Sequence, residues 1–338
     1  MRQYQLPTTG QIENLTLTTA DRPTAGPGRA VVRMRAASLN YRDLMIVRNH
    51  YGSPARPGLV PLSDGAGEVV EVGPGVKRVK VGDRVAGIFH QAWLDGEMRD
   101  EVTRTALGGD LDGVLSEYQA FDADGLVHLP DGYSFEEGAT LPCAAVTAWN
   151  ALMAGPRPVR PGDAVLTQGT GGVSVFAIQF AKAAGARVIS TSSSDEKLAA
   201  ARKLGAAETI NYRSTPDWEQ EVQRLTDGRG VHHVVEVGGA GTLPRSLKSV
   251  RRSGVVNVIG LLSGGGGEIN PLVLLPREAM LRGIYVGSRQ MFLDMNGAIV
   301  ANGIRPVVDR VFDFDQAQAA YRHLASGSHF GKVVVRIG

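Results

Sequence analysis

The chain is short of cysteine, and that shortage narrows the chemistry first. Its 338 residues include one cysteine, Cys143. A single thiol excludes an intrachain disulfide and any zinc site built from several cysteines. It fits a reducing compartment, so a cytoplasmic setting is expected. Long apolar runs are missing too: no stretch of 18 apolar residues occurs, and the first residues lack a basic segment followed by an apolar one. Neither a membrane-spanning helix nor a secretory signal is expected. An excess of one charge is also absent. Lysine and arginine number 36 against 34 aspartates and glutamates, a formal net charge of +2. That balance gives no reason to expect nucleic acid or an anionic membrane as a partner, and leaves a small-molecule substrate.

What the chain does have is a glycine turn between two apolar segments. Ala164–Gln168 reads as a buried strand. Gly169-Thr170-Gly171-Gly172-Val173-Ser174 follows. Val175–Ala184 then carries only Gln179 and Lys182 as strongly polar residues, three apart and so on one helix face. Glycines at such a turn let the backbone approach a pyrophosphate, and the helix N-terminus offers free N–H groups and a partial positive charge. The pattern is G-x-G-x-x-S, with Ser174 as the small third residue that close helix–strand packing needs.

The sequel gives the turn its meaning. A strand is expected at Arg187–Thr191 after a helix stop at Gly185, then a helix over Asp195–Leu204 capped by Ser194 and stopped by Gly205. A short strand at Glu208–Ile210 precedes an amphipathic helix carrying Trp218, Val222 and Leu225. A strand at His233–Val237, a helix with Leu243, Leu247 and Val250, and a strand at Val255–Ile259 continue the alternation. This is the pattern of a doubly wound parallel sheet, an α/β fold of the Rossmann type.

The first 128 residues read differently. Ala30–Ala37, Gly67–Val72, the segment entered at Val81–Val85, Ser116–Phe121 and Leu126–Leu129 are short strands punctuated by glycine and proline, as in a compact β-barrel-like domain. Residues 91–112 read as a long irregular surface loop. Ser134 caps Phe135-Glu136-Glu137, and the helical character of Thr147–Met153 marks the crossover into the dinucleotide domain. Ser263–Gly267 reads as a flexible loop, Ile284–Val286 as a last sheet strand, Asp315–Leu324 as a helix and Lys332–Ile337 as a final strand. The expected division is 1–128, then 129–290 for the dinucleotide domain, then 291–338 returning to the first domain.

Leu39-Asn40-Tyr-Arg-Asp43, Pro61-Leu-Ser-Asp-Gly65-Ala-Gly67-Glu, Val81-Gly-Asp-Arg-Val85, the glycine turn, Ile210-Asn-Tyr-Arg213 and Gly331-Lys332, in this order, resemble the medium-chain dehydrogenase/reductase superfamily, and within it the zinc-free branch of quinone oxidoreductases. The resemblance covers essentially the whole chain. It implies a GroES-like catalytic domain, split in sequence, together with a Rossmann domain. Zinc alcohol dehydrogenases of that superfamily carry a ligand cysteine where this chain has Asn40, a Gly-His-Glu triplet where it has Leu62-Ser63-Asp64, and a proton-relaying hydroxyl where it has Arg42. Residues 91–112 replace a four-cysteine lobe and contain no cysteine. Of the histidines, His232 and His233 are adjacent on an expected strand and face opposite sides. No metal is expected.

The resemblance also assigns roles. Asn40 and Tyr51 are the candidate catalytic residues. The bland alternatives are that Asn40 caps the end of its strand and that Tyr51 packs beneath a loop. Asp43 is expected in a structural ion pair, His90 and Trp93 in loop packing, and Cys143 in the core rather than as a nucleophile. The dinucleotide is expected on Thr147, Gly169, Thr170, Gly171, Gly172 and Val173, with Gly260 and Leu261 flanking the nicotinamide. An NAD-specific site puts an acid at the end of the second strand; that position here falls on Ser192, followed by Ser193. Lys197 and Tyr212, with Arg213 alongside, match residues that hold a 2′-phosphate, so NADPH is expected over NADH. Function is then expected to be zinc-independent, NAD(P)H-dependent reduction of a quinone or activated carbonyl compound. A metal-free alcohol dehydrogenase or enoyl reductase, and a non-enzymatic dinucleotide-binding protein, are the alternatives. A homodimer formed through the edge near Ile284–Val286 is expected.

Overall fold

The computed structural model describes every residue except Ser53, Ser263, Gly265 and Gly267. The glycine loop expected at 263–267 therefore falls partly outside the described residues. The chain forms two compact units, Met1–Val146 with Gly287–Gly338, and Thr147–Val286.

In the second unit six strands form one parallel sheet. Its order across the sheet is Glu208–Asn211, Arg187–Ser192, Ala164–Gln168, Val231–Glu236, Val250–Val258 and Met280–Gly283. In chain order that is 3-2-1-4-5-6, so the winding reverses between Ala164–Gln168 and Val231–Glu236. Ligands of doubly wound sheets bind at the carboxyl ends of the strands flanking such a reversal. Leu166, Ile189, Val234 and Val256 fill one face against Trp218, Val222, Leu243 and Leu247. The helices Gly172–Ala183, Asp195–Leu204 and Trp218–Leu225 form on the expected segments, the first starting three residues before Val175. Two expectations are corrected. Val250 opens a strand instead of ending a helix. Ile284–Val286 is not a strand: the edge strand is Met280–Gly283, and Ile284 and Val286 are buried.

In the first unit Arg29–Ser38 is central. It pairs antiparallel with Asp64–Val72, Tyr118–Asp122 and Lys332–Arg336. Arg84–Gly87 and Leu126–His128 extend the sheet on one side, and Val308–Asp313 on the other. A strand pair of Arg2–Gln5 with Thr16–Thr19 stands apart. Gly67 has a packing reason: a Cβ there would lie 2.2 Å from the carbonyl oxygen of Arg33 on the neighbouring strand. Val32, Met34, Leu39, Leu44, Val69, Val333, Val335 and Tyr321 make the core. Residues 129–146 belong here, not with the sheet of the second unit. Ser134 opens Phe135–Gly138 with a capping box, Arg336 bonds Glu136 at 2.9 Å, and the Cys143 N–H bonds Asp64 at 3.0 Å. The segment 91–112 is irregular as expected, but Trp93, Val102, Ala106 and Leu107 are buried in it.

Elements that escape the sequence pattern include the strands Arg2–Gln5 and Thr16–Thr19, the helix Tyr41–Val47, the helix Arg289–Asn302 and the strand Val308–Asp313. The second helix had a usable signal. Ser288 caps it, Phe292, Met295 and Ile299 share a face, and Gly303 ends it at φ +58.

Candidate active site

Two polar clusters stand out, one in each unit. In the first unit the chain leaves Arg29–Ser38 at Leu39 and turns into the short helix Tyr41–Val47 at Asn40. The Asp43 carboxylate accepts from the Asn40 N–H at 2.7 Å, as in a capping box. The capping role considered for Asn40 is thus real, but its side chain is engaged elsewhere. Lys332, at the start of the last strand, donates from Nζ to the Leu39 carbonyl at 2.7 Å and to Asn40 Oδ1 at 2.5 Å. Asn40 Nδ2 is buried and makes no hydrogen bond of ordinary geometry. The acid it faces is Asp64, which it helps to keep ionised.

Asp64 is fully buried. It accepts from Ser63 Oγ at 2.6 Å and from the Cys143 N–H at 3.0 Å. Burial pushes its carboxyl up, and the Lys332 charge is the largest influence holding it down. Asp43, also buried, is pushed up to about 6 by burial, against the pull of Arg42 at 3.6 Å. Arg42 is itself 9% exposed. It donates to the Leu107 carbonyl at 2.9 Å, and its guanidinium lies 4.6 Å from the Phe89 ring centroid and 5.4 Å from that of Tyr51. The expected Asp43 ion pair exists. Tyr51 packs on the core and over Arg42. His90 is buried between Phe89 and Trp93, and burial holds its imidazole down at about 4. Burial and the Asp64 charge push the Cys143 thiol far up, so it is not a nucleophile. Sequence reasoning treated Lys332 only as part of a motif. The available signal was a lone lysine opening an otherwise apolar strand, Lys332-Val-Val-Val335.

In the second unit the strand Ala164–Gln168 ends in Gly169, whose φ of +66 a side chain would resist. Gly171 caps the following helix with an ordinary φ of −75, and a Cβ built on it meets nothing within 4 Å. The fold itself therefore does not require glycine at 171. The N–H groups of Gly172, Val173 and Ser174 begin the helix there. Ser174 Oγ donates to the Gln168 carbonyl at 2.6 Å, locking the turn. Thr170 is buried in the turn, and Thr147 is buried in the helix Val146–Leu152.

The neighbouring loop is held by Glu236. Its carboxylate is fully buried and accepts from the N–H groups of Gly238 and Gly239 at 2.8 and 2.9 Å, from Thr242 Oγ1 at 2.5 Å, from Gln168 Nε2 at 2.8 Å and from Ser246 Oγ. Gln168 Oε1 in turn accepts from Val237 and Gly238. None of this was read from the sequence. Gly260 and Leu261 follow the strand Val250–Val258, and Leu261 is exposed.

At the end of the second strand, Ser192 is buried and pairs with Asn211, and its carbonyl accepts from the Tyr212 N–H at 3.0 Å. Ser193 is half-buried. Ser194 caps the next helix by accepting from the Lys197 N–H at 3.4 Å. Ser192 and Tyr212 thus meet at one strand end, and Lys197 lies in the first turn of the helix that follows. Asp195 opens the helix, with its carboxylate tied to Asn211 at 2.7 Å.

A family model described as the alcohol dehydrogenase GroES-like domain matches residues 26–131, and one described as zinc-binding dehydrogenase matches residues 172–301. The zinc-type alcohol dehydrogenase-like protein C1773.06c of Schizosaccharomyces pombe is 50% identical, covering 92% of this chain and 91% of its own. The quinone oxidoreductase of Pseudomonas aeruginosa is 32% identical over the same shares. The crystal structure of an NAD-dependent alcohol dehydrogenase is 34% identical, with a TM-score of 0.91 and full coverage of both chains.

Zinc does not fit the residues present. Zinc takes three or four nitrogen, sulfur or carboxylate ligands in a tight shell. The described residues contain no group of three histidines, cysteines or acids so disposed. Where such a shell would stand are an amide, a hydroxyl, one acid, one thiol and the Lys332 ammonium, which repels a dication. A nicotinamide dinucleotide does fit: the room over Gly171 and the free helix N–H groups suit a pyrophosphate. With half its residues identical to one relative and both family models matched, the chain belongs to the medium-chain dehydrogenase/reductase superfamily and is an oxidoreductase of it.

Proposed function

We propose that the protein is a zinc-independent reductase that uses NADPH to reduce a quinone or an activated carbonyl compound. The observation that carries this reading is the cluster of Asn40, Ser63, Asp64 and Lys332, the last three buried, which is unsuited to zinc. The reduced nicotinamide supplies the hydride when bound. The chain must then stabilise negative charge on the acceptor oxygen and provide a proton. Asn40 Nδ2 donates a hydrogen bond to that oxygen, a task that elsewhere falls to a metal or an oxyanion hole. The Tyr51 phenol is the proton donor to the resulting hydroquinone or enolate anion. Gly169, Thr170, Gly171, Gly172 and Val173 hold the pyrophosphate, and Thr147, Gly260 and Leu261 the nicotinamide end. Ser192 in place of an acid, with Ser193, Lys197 and Tyr212 beside it, favours the 2′-phosphate of NADPH over the free diol of NADH.

A cytoplasmic setting fits a chain with a single thiol; among the described residues no helix is long and apolar enough to cross a membrane. A homodimer through the outer edge of Met280–Gly283 follows from the cost of leaving a strand edge bare, and light scattering checks it. The decisive assay follows NADPH oxidation with a quinone, an enone and an aldehyde in turn, with metal analysis of the same preparation. Turnover of a quinone or enone that survives chelation, with no stoichiometric zinc, is expected. Turnover that tracks one bound zinc per chain sinks the reading.

A further inference from the structure

The parallel strands of the second unit present their amino ends on the side away from the glycine turn. On that side the start of Val250–Val258 borders a cleft of about 490 Å³. Four arginines line it, Arg229, Arg251, Arg252 and Arg277, together with Gln223, and among the described residues no carboxylate does. Arg251 and Arg277 are half-buried, Arg229 and Arg252 exposed. Of the four, among the described residues, only Arg229 has an ion-pair partner, Asp227 at 3.3 Å. Arg277 is anchored at the cleft by one nitrogen, Nε, which donates to the Val250 carbonyl at 3.2 Å. Burial and then the charges of Arg251 and Arg229 hold the nearby His232 imidazole down, against the pull of Asp163.

The backbone is distorted where two of these arginines stand. Val231 pairs with Val250 and His233 with Val255. His232 alone fills that interval on one strand, and four residues, Arg251–Gly254, fill it on the other. Ser253 in this bulge holds φ +57, a costly conformation for a residue with a Cβ. Crowded guanidinium groups also repel one another. Strain and repulsion both work against folding, and an anion seated among the arginines offsets the repulsion.

The guanidinium fork matches phosphate oxygens in pairs. The cleft lies within the roughly 300–1,000 Å³ of small-molecule sites and exceeds a single phosphate. Its positive charge does not continue into a track. Arg224, on the helix that supplies Gln223, pairs with Glu221 at 2.6 Å, and Arg245, on the helix Leu243–Ser249, pairs with Glu219 at 2.6 Å. A nucleic-acid strand needs such a track along its backbone, and a small anion does not.

We propose that this arginine cleft is a second ligand site, for a small phosphorylated anion, at the end of the sheet opposite the glycine turn. The strand Val231–Glu236 spans the interval between the two ends, roughly 20 Å at about 3.3 Å per residue. None of the four arginines is among the residues assigned to the dinucleotide, and the site does not depend on the reductase reading.

The test titrates the full chain by calorimetry with inorganic pyrophosphate and with fructose 1,6-bisphosphate. Gly171→Val is the control for the glycine turn. A Cβ at 171 meets nothing within 4 Å, so this variant should fold while its side chain obstructs the backbone there. One saturable site should survive in Gly171→Val. Arg252→Gln and Arg277→Gln should each weaken it roughly ten- to a hundredfold, the loss of one charge-assisted bond. Added anion should raise the melting temperature of the parent chain and not that of the Arg252→Gln, Arg277→Gln pair. Free Arg252→Gln, relieved of one like charge, should melt no lower than the parent. Tighter binding of the sugar bisphosphate marks an organic ligand and tighter binding of pyrophosphate an inorganic one; both uphold the site. Absence of saturable binding in the parent, binding that the arginine variants keep, or binding that Gly171→Val abolishes overturns it. A short single-stranded RNA that binds through these arginines where neither small anion does overturns the choice of ligand.

Discussion

Each unit buries carboxylates at its functional end, and the two units satisfy them in opposite ways. Glu236 in the second unit is surrounded by neutral donors: two backbone N–H groups, two hydroxyls and an amide. Asp64 and Asp43 in the first unit are compensated mainly by cations, Lys332 and Arg42, with a few hydrogen bonds. Neutral donors fixed to a backbone loop make a rigid frame. Their work is done once the loop 237–242 is tied to Gln168 at the glycine turn. Charges drawn from distant points of the chain make a poised site, whose balance shifts when a proton or another charge arrives. The second unit builds a cradle, and the first keeps a reserve of charge.

Breaking the frame should give the largest effect. Glu236→Ala strands at least five donors in a dry environment. Each unsatisfied buried polar group costs about 1–3 kcal/mol, with partial relief from relaxation and entering water, so a net loss of about 3–5 kcal/mol is expected. Urea unfolding should show it, with dinucleotide binding weakened in the same variant. Glu236→Gln keeps acceptor capacity on one oxygen and should fall between. A Glu236→Ala chain of native stability would show that the loop does not depend on the carboxylate.

The same contrast explains what the sequence could tell. The glycine turn, the Ser194 cap, the alternating strands and the Ser192 position are local patterns of a few residues, and they were legible. The Lys332–Asn40–Asp64 cluster was not, because Lys332 lies 292 residues from Asn40 in sequence and no local rule links them. Glu236 looked like one more strand residue, since its donors come from Gln168 and from a loop whose shape depends on it. The edge strand was placed a few residues late because Ile284–Val286 looks like an apolar strand, while its residues are buried outside the sheet. Residues 129–146 were assigned to the wrong unit because a short capped helix carries no mark of the sheet it packs on.

A pH titration of stability sets the two units against each other. His90 in the first unit and His233 in the second are both held down to about 4 by burial, below the ordinary 6.5. A depressed histidine contributes stability that is present above 6.5 and lost as pH falls toward 4. Asp43 is raised to about 6 from 3.8. Its contribution runs the other way: fully present below 3.8 and lost as pH rises through 6. Between pH 6.5 and 4 the two histidines outweigh Asp43, while Asp64, whose carboxyl burial also raises, works on the side of Asp43, so the folded state should weaken on acidification by no more than about 2–4 kcal/mol. Asp43→Asn removes the opposing acid, and its stability should fall more steeply over the same range. A shallower fall in Asp43→Asn would mean that Asp43 is ionised in the folded protein throughout, with Arg42 and Lys332 outweighing its burial.

The smallest expected effect sharpens the comparison at its one exception. In the proposed reading the dinucleotide end of the second unit relies on backbone and hydroxyl donors, except for Lys197, in the first turn of the helix that follows the strand end where Ser192 and Tyr212 meet. A charge-assisted hydrogen bond to a phosphate is worth about 1.5–3 kcal/mol when well placed. Lys197→Ala should therefore weaken NADPH roughly ten- to a hundredfold, at 1.4 kcal/mol per decade. NADH lacks the 2′-phosphate, and its affinity should hardly move. Ser192→Asp should go further, because the new carboxylate repels the phosphate and offers a partner to the ribose diol. The native chain already has one acid close by, Asp195, but Asn211 holds its carboxylate at 2.7 Å. Asn211→Ala releases that acid and should lower the NADPH preference without adding any charge. The ratio of the two affinities, measured by titration for each variant, is the deciding quantity. If Lys197→Ala changes both cofactors alike, the lysine is a solvated helix residue, the second unit's cradle is neutral throughout, and the case for NADPH loses its main physical support.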